Sequence, residues 1–146
     1  MASGLYSNTL NKVMNNTLST NFNSQTFNCM LVTAGYVPQL DTHTGRADVS
    51  NEVAPGSGYL QWGKAMTGVS LSVTTDGSSI ITWDAADVSW TASTISGAAG
   101  AVIFDNTTAS YPLVAYIDFS GSFSTTSGTF EIQWNSSGIF TLDLKP

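Results

Sequence analysis

Apolar and polar residues alternate with a period of two along much of this chain. The clearest run lies between Tyr111 and Leu144. Leu113, Ala115, Ile117 and Phe119 alternate with Tyr116 and Asp118, then Phe130, Ile132 and Trp134 with Thr129, Glu131 and Gln133, then Phe140, Leu142 and Leu144 with Thr141 and Asp143. Successive side chains of a strand point to opposite faces, so this period predicts half-buried strands. The Ser/Thr/Gly run Ser120–Gly128 and the segment Asn135–Gly138 read as the connections that bring the chain back. The expectation is three antiparallel strands sharing one apolar face, with Trp134 turned inward beside Ile132.

An apolar sheet face needs a second layer, and the upstream sequence supplies strands for one. Thr26–Thr33 is a largely apolar strand with Cys29, Met30, Leu31 and Val32 in succession, and Tyr59–Lys64, Val69–Thr75 and Ser79–Asp84 follow. Val69, Leu71 and Val73 alternate with Ser70, Ser72 and Thr74, and Thr75-Asp76-Gly77-Ser78 predicts a hairpin turn. Asp84 to Trp90 reads as a tight turn between two Trp-bearing segments. Ala101–Asp105 is apolar at adjacent positions, which predicts a central strand covered on both faces. Eight or nine strands correspond to an all-β fold: a single-domain antiparallel β-sandwich, jelly-roll-like. At the start, Leu5, Tyr6, Leu10, Val13, Met14 and Leu18 fall near helical spacing, so residues 1–20 read as a helical arm and 21–146 as the sandwich. The helix is too short and too rich in Asn to stand alone, and the arm is expected to order against a partner.

Composition narrows the function. The 146 residues carry 4 Lys+Arg against 10 Asp+Glu, a net charge of −6, and only 10% are charged while 42% are hydrophobic. About 40 positions are Ser or Thr, so hydroxyls rather than charges solvate the strands, as suits a protein that presents much of its surface to neighbours. Phosphate neutralisation needs cations that this chain lacks, which disfavours nucleic acid and anionic membranes as partners. Cys29, the single cysteine, can form no internal disulfide and reads as a small buried hydrophobe. No signal peptide and no span-length apolar run is visible, and synthesis and folding in the cytosol are expected.

The one break in the β pattern is Val37–Val53, which gathers the only His, the only Arg and three carboxylates. Asp41, His43, Arg46, Asp48 and Glu52 are expected to lock this excursion by local ion pairs, forming a structural clasp at an interface. A divalent-metal site on Asp41, His43, Asp48 and Glu52 is the competing reading, weaker because D-x-H with scattered companions is a loose ligand set. The chain has no G-x-S-x-G turn and no Gly-rich phosphate cradle. Asp84 and Asp87 read as turn residues before they read as paired catalytic carboxylates. Trp62, Trp83, Trp90 and Trp134 offer faces for a sugar, with core packing as the plainer reading. The residues therefore predict a protein that is not an enzyme, with no cofactor.

The same stretch carries a resemblance. Y-x-P-x-x-D-T-H-x-x-R-x-D-V-x-N-E-V over Tyr36–Val53 resembles a family of small virion structural proteins of tailed bacteriophages. Gly58-Tyr59, Met66–Val69, the D-A-A-D-V-x-W run Asp84–Trp90, Pro112–Phe119 and Gly138–Leu142 resemble that family's later segments. Trp62-Gly63 departs from the pattern, which has a Gly pair after the Tyr. The resemblance implies no catalytic residues. It implies a head decoration or cement protein at the outer capsid surface, partnered by the major capsid protein and assembled as a homotrimer. The alternatives are a tail, neck or fibre-associated component and a carbohydrate-binding attachment module.

Overall fold

The structure, a computed structural model, describes residues 1–145. Its strands are β1 (Gly4–Leu5), β2 (Phe27–Thr33), β3 (Lys64–Ala65), β4 (Ser70–Val73), β5 (Ile80–Asp84), β6 (Val88–Asp105), β7 (Leu113–Ile132) and β8 (Phe140–Asp143), with one helix, α1 (Ser7–Met14). They form two antiparallel sheets, ordered β1-β7-β6-β2-β3 and β4-β5-β8. The molecule is an all-β, sandwich-like domain, as the periodicity predicts.

Strand alternation explains the layering. Phe27, Cys29 and Leu31 of β2, with Ala101 and Ile103 of β6, face the small sheet and pack with Trp83 of β5. The Trp83 ring lies edge-on to Phe27 at 5.0 Å between centroids and tilted to Phe140 at 5.3 Å. Its indole N–H donates to the Phe22 carbonyl at 2.8 Å, so a fully buried Trp leaves no donor unpaired. Met30 and Val32, with Val102 and Phe104, point the other way into a second core closed by Tyr6, Tyr36, Leu40, Val49 and Trp62. Both faces of the large sheet are thus covered, one by the small sheet and one by the 37–53 excursion with the N-terminal segment. That double cover is why β2 and the end of β6 are apolar at consecutive positions.

The expected three-stranded unit over 111–144 does not form. Ser120–Gly128 is no returning loop: β7 runs straight through it and pairs with β6 at Ala98↔Phe123, Ile95↔Thr125 and Ser93↔Gly128. The register shifts repeatedly here, and Ala92, Ser120 and Ser127 have φ of 48°, 54° and 48°, which marks a chain of bulges. Hydroxyls fill the broken ladder. Thr125 Oγ1 accepts from Ile95 N–H at 3.2 Å, Ser124 Oγ from Gly97 N–H at 2.9 Å and Thr94 Oγ1 from Ser127 N–H at 3.1 Å. A run of small hydroxyl residues is thus the material of an irregular strand. The Phe140–Asp143 strand joins β5 in the other sheet instead of folding back on β7.

The Asp84–Trp90 turn forms as expected and carries the chain from one sheet to the other. Two further expectations are corrected. Tyr59–Lys64 is not a strand; Gly56 and Tyr59 close a turn, and only Lys64–Ala65 pairs with β2. The arm 1–20 needs no outside partner to be ordered. Gly4 and Leu5 pair with Tyr116 and Ala115 of β7, Tyr6 has no exposed surface, and the Thr9 hydroxyl donates to the Leu113 carbonyl. Helix α1, at eight residues, is below the length that is stable in isolation. It persists because Tyr6 and Thr9 tie it to the sheet.

Candidate functional site

The excursion from Tyr36 to Val53 lies on the outer face of the large sheet and is sewn to it at both ends. Thr33 N–H donates to the Asn51 carbonyl and Val53 N–H to that of Leu31, each at 2.9 Å. On the far side Arg46 N–H donates to the Tyr111 carbonyl at 3.0 Å, and Leu113 N–H to the Thr44 carbonyl at 3.1 Å. A long polar segment keeps one shape here because its backbone groups are spent on neighbouring strands.

The five charged or titratable residues singled out above come to this one face, but the ion pairs expected among them do not form. Each is satisfied, or held, by a neutral group. Asp48 Oδ2 accepts from the Thr44 and Gly45 N–H groups at 2.7 and 3.1 Å, closing the 3-10 turn Arg46–Asp48. Those two N–H bonds hold its carboxyl below the ordinary Asp range. Glu52 reaches inward and accepts from the Tyr59 hydroxyl at 2.9 Å and the Trp62 N–H at 2.6 Å. Burial nevertheless pushes its carboxyl up, outweighing these bonds. His43 Nδ1 lies 3.0 Å from the Tyr36 hydroxyl, which lies 2.8 Å from that of Tyr6, so a chain of three side chains ties the loop to the N-terminal segment. Asp41 is exposed and engages through its backbone carbonyl, which accepts from the Asn8 amide.

Arg46 is held differently. Its guanidinium carbon lies 3.7 Å from the Tyr111 ring centroid and 4.1 Å from that of Trp62, with Phe104 at 5.5 Å. The cation is stacked on aromatic faces rather than paired with a carboxylate. The loop is held by aromatic stacking and hydrogen bonds. Charge counting along the sequence missed Tyr36, Tyr59, Trp62 and Tyr111, which make those contacts. No sequence signal points to them, because Trp62 and Tyr111 lie far from Arg46 along the chain and only the fold brings them together.

The other candidates separate. Among the described residues no three His, Cys, Asp or Glu side chains come together as a cation site. Asp87 accepts from Trp134 N–H at 2.8 Å, while one oxygen of Asp84 is buried without a partner. Trp83 and Trp90 are buried and offer no face to a ligand. Trp134 is partly buried and packs against the core, as its alternation with Ile132 predicts, and its indole N–H donates to the Ala86 carbonyl at 3.1 Å. It borders an open groove of about 510 Å³ along β7, lined by Ile117, Phe119, Phe123, Phe130 and Gln133.

Comparison with protein-family models, with curated proteins and with solved structures finds no match to this chain.

Proposed function

We propose that the protein is a non-enzymatic virion component of a tailed bacteriophage, a decoration or cement protein that attaches to the outer surface of the capsid as a trimer and ties neighbouring capsomers together. The observation that carries this reading is the fate of the Tyr36–Val53 stretch, which holds the most specific part of the sequence resemblance. Tyr36 lines an open pocket with Tyr116 and Asp118, while His43, Arg46, Asp48 and Glu52 engage the loop itself or neighbouring segments. They fix a loop on a surface, and a loop already fixed docks without a further loss of entropy. A second support is the rest of the molecular surface. Val37, Leu60, Leu71, Val73 and Phe123 are exposed apolar side chains in a chain with few charges, which suits repeated, modest contacts summed by capsid symmetry.

The test is the copy number of this chain in purified particles. Decoration of the head predicts on the order of hundreds of copies per particle, whereas a tail, neck or fibre position predicts a few dozen at most. Sedimentation of the isolated protein as a monomer at every concentration overturns the trimer. The groove beside Trp134 favours one second reading, a carbohydrate-binding attachment module, because an aromatic wall flanked by Gln133 and Glu131 suits a sugar ring. Loss of glycan-array binding in Trp134→Ala decides for it.

A further inference from the structure

The geometry points to a receptor site for a carboxylate at Arg46, framed by Trp62 and Tyr111, that takes an Asp or Glu side chain of a partner protein. This inference stands apart from the virion reading and does not rest on it.

A guanidinium stacked on aromatic rings keeps its rim of N–H donors free while its faces are shielded from water. Arg46 is in that state: among the described residues no carboxylate lies within 4.0 Å of it, and no acceptor takes a hydrogen bond from it. None of its nitrogens is buried without a partner, so its donors reach solvent. The charge of Glu52 is close enough to interact with it, but that carboxylate is already committed to the Tyr59 hydroxyl and the Trp62 N–H. In a chain of net charge −6 the one arginine has therefore been left without an anion.

The frame around it is built at a cost. Trp62 and Tyr111 stand on left-handed backbone with φ of 71° and 49°, and Ser110 beside Tyr111 has φ of 68°. Large side chains avoid this region, and strain of this kind persists where the surroundings hold it in place, commonly at binding sites. Both strained aromatic residues serve the same guanidinium. The fixed fork of Arg matches the two oxygens of a carboxylate. A monoanion is favoured over a phosphate dianion because Asp48 and Glu52 belong to the same clasp and the whole chain is acidic.

The probe is sodium acetate, read by the side-chain Nε–Hε resonance of Arg46 in the 15N-labelled full chain. Acetate should move that resonance saturably, with half-saturation on the order of 10–100 mM, as befits so small a ligand in one charged site. Sodium chloride at matched ionic strength should move it several-fold less, and inorganic phosphate at pH 7 should bind no more tightly than acetate. In Arg46→Lys, which keeps the charge and loses the fork, the Trp62 indole N–H should respond to acetate at least about fivefold more weakly. Equal shifts in chloride and acetate, a linear response without saturation, tighter binding of phosphate, or an undiminished response in Arg46→Lys would each overturn the site.

Discussion

Tyr6→Ala should destabilise the protein as a core mutation does, although residue 6 sits in a segment that reads from sequence as a detachable arm. The side chain has no exposed surface, packs in the outer core with Met30, Val32, Val102 and Phe104, and shares a 2.8 Å hydrogen bond with Tyr36. Its burial and that bond push the hydroxyl's titration far above the ordinary tyrosine range. Truncating a buried aromatic costs about 3–5 kcal/mol. For a domain of this size each kcal/mol moves the midpoint by about 2–4 °C. The melting temperature should therefore fall by on the order of 6–20 °C. Tyr6→Phe keeps the ring and removes one hydrogen bond, about 0.5–1.5 kcal/mol, so it should melt only slightly below the parent. Deleting residues 1–20 also strips β1 from β7 and uncovers the outer core, and the product should fail to fold. Urea and thermal denaturation followed by near- and far-ultraviolet circular dichroism measure all three. A truncated protein melting at the temperature of the full chain would refute the reasoning and restore the independent arm.

Gly63→Ala should be among the most damaging single substitutions, because Gly63 has φ of 71° and an added Cβ would overlap the Cys29 carbonyl; soluble yield and urea midpoint report it. Asp105→Ala strands the N–H groups of Thr107 and Thr108 and the Thr20 hydroxyl around a fully buried carboxylate, and should cost about 1–3 kcal/mol or more by denaturant titration. Burial pushes the Cys29 thiol up to about 12, so a thiol reagent at pH 8 should label it only after denaturant is added. Asp48 is held below the ordinary Asp range, so its contribution is present above that range and lost as pH falls through its folded value; the urea midpoint of Asp48→Asn should fall less on acidification than that of the parent.

Strands with clean alternation or doubly apolar runs are legible in the sequence alone. Phe27–Thr33, Ile80–Asp84 and the Ala101–Asp105 end of β6 lie where the pattern puts them. The failures share a cause: pairing partners are not written into a strand's own period. Ser120–Gly128 has loop composition, and only the facing hydroxyl-rich stretch of β6, which completes its ladder, makes it a strand. Phe140–Asp143 has the right period but pairs with β5, a choice set by Trp83 and Phe140 packing across the two strands. Leu71 and Val73 alternate as a half-buried strand should, yet they stand exposed where the small sheet has little above it. At the clasp, proximity in sequence put opposite charges together, but solvated ion pairs are weak and aromatic stacking on Arg46 with N–H bonds to Asp48 prevails.

The pairing of β1 with β7 sets an order of events during synthesis. Gly4 and Leu5 leave the ribosome long before Tyr116 and Ala115, and can find their ladder only when those have emerged, and Tyr6 closes a core whose other walls come from β2, β6 and β7. The β6–β7 hairpin closes through a short local turn, so it forms early and serves as the template on which distant segments dock. The segment around Gly4–Tyr6 is then made well before its partners and placed among the last. Throughout elongation its apolar side chains and the outer face they will cover stay open to wrong partners, which makes nascent-chain holding a determinant of yield. Slowing translation near Leu113 should lower the soluble fraction more than slowing it after Ile132.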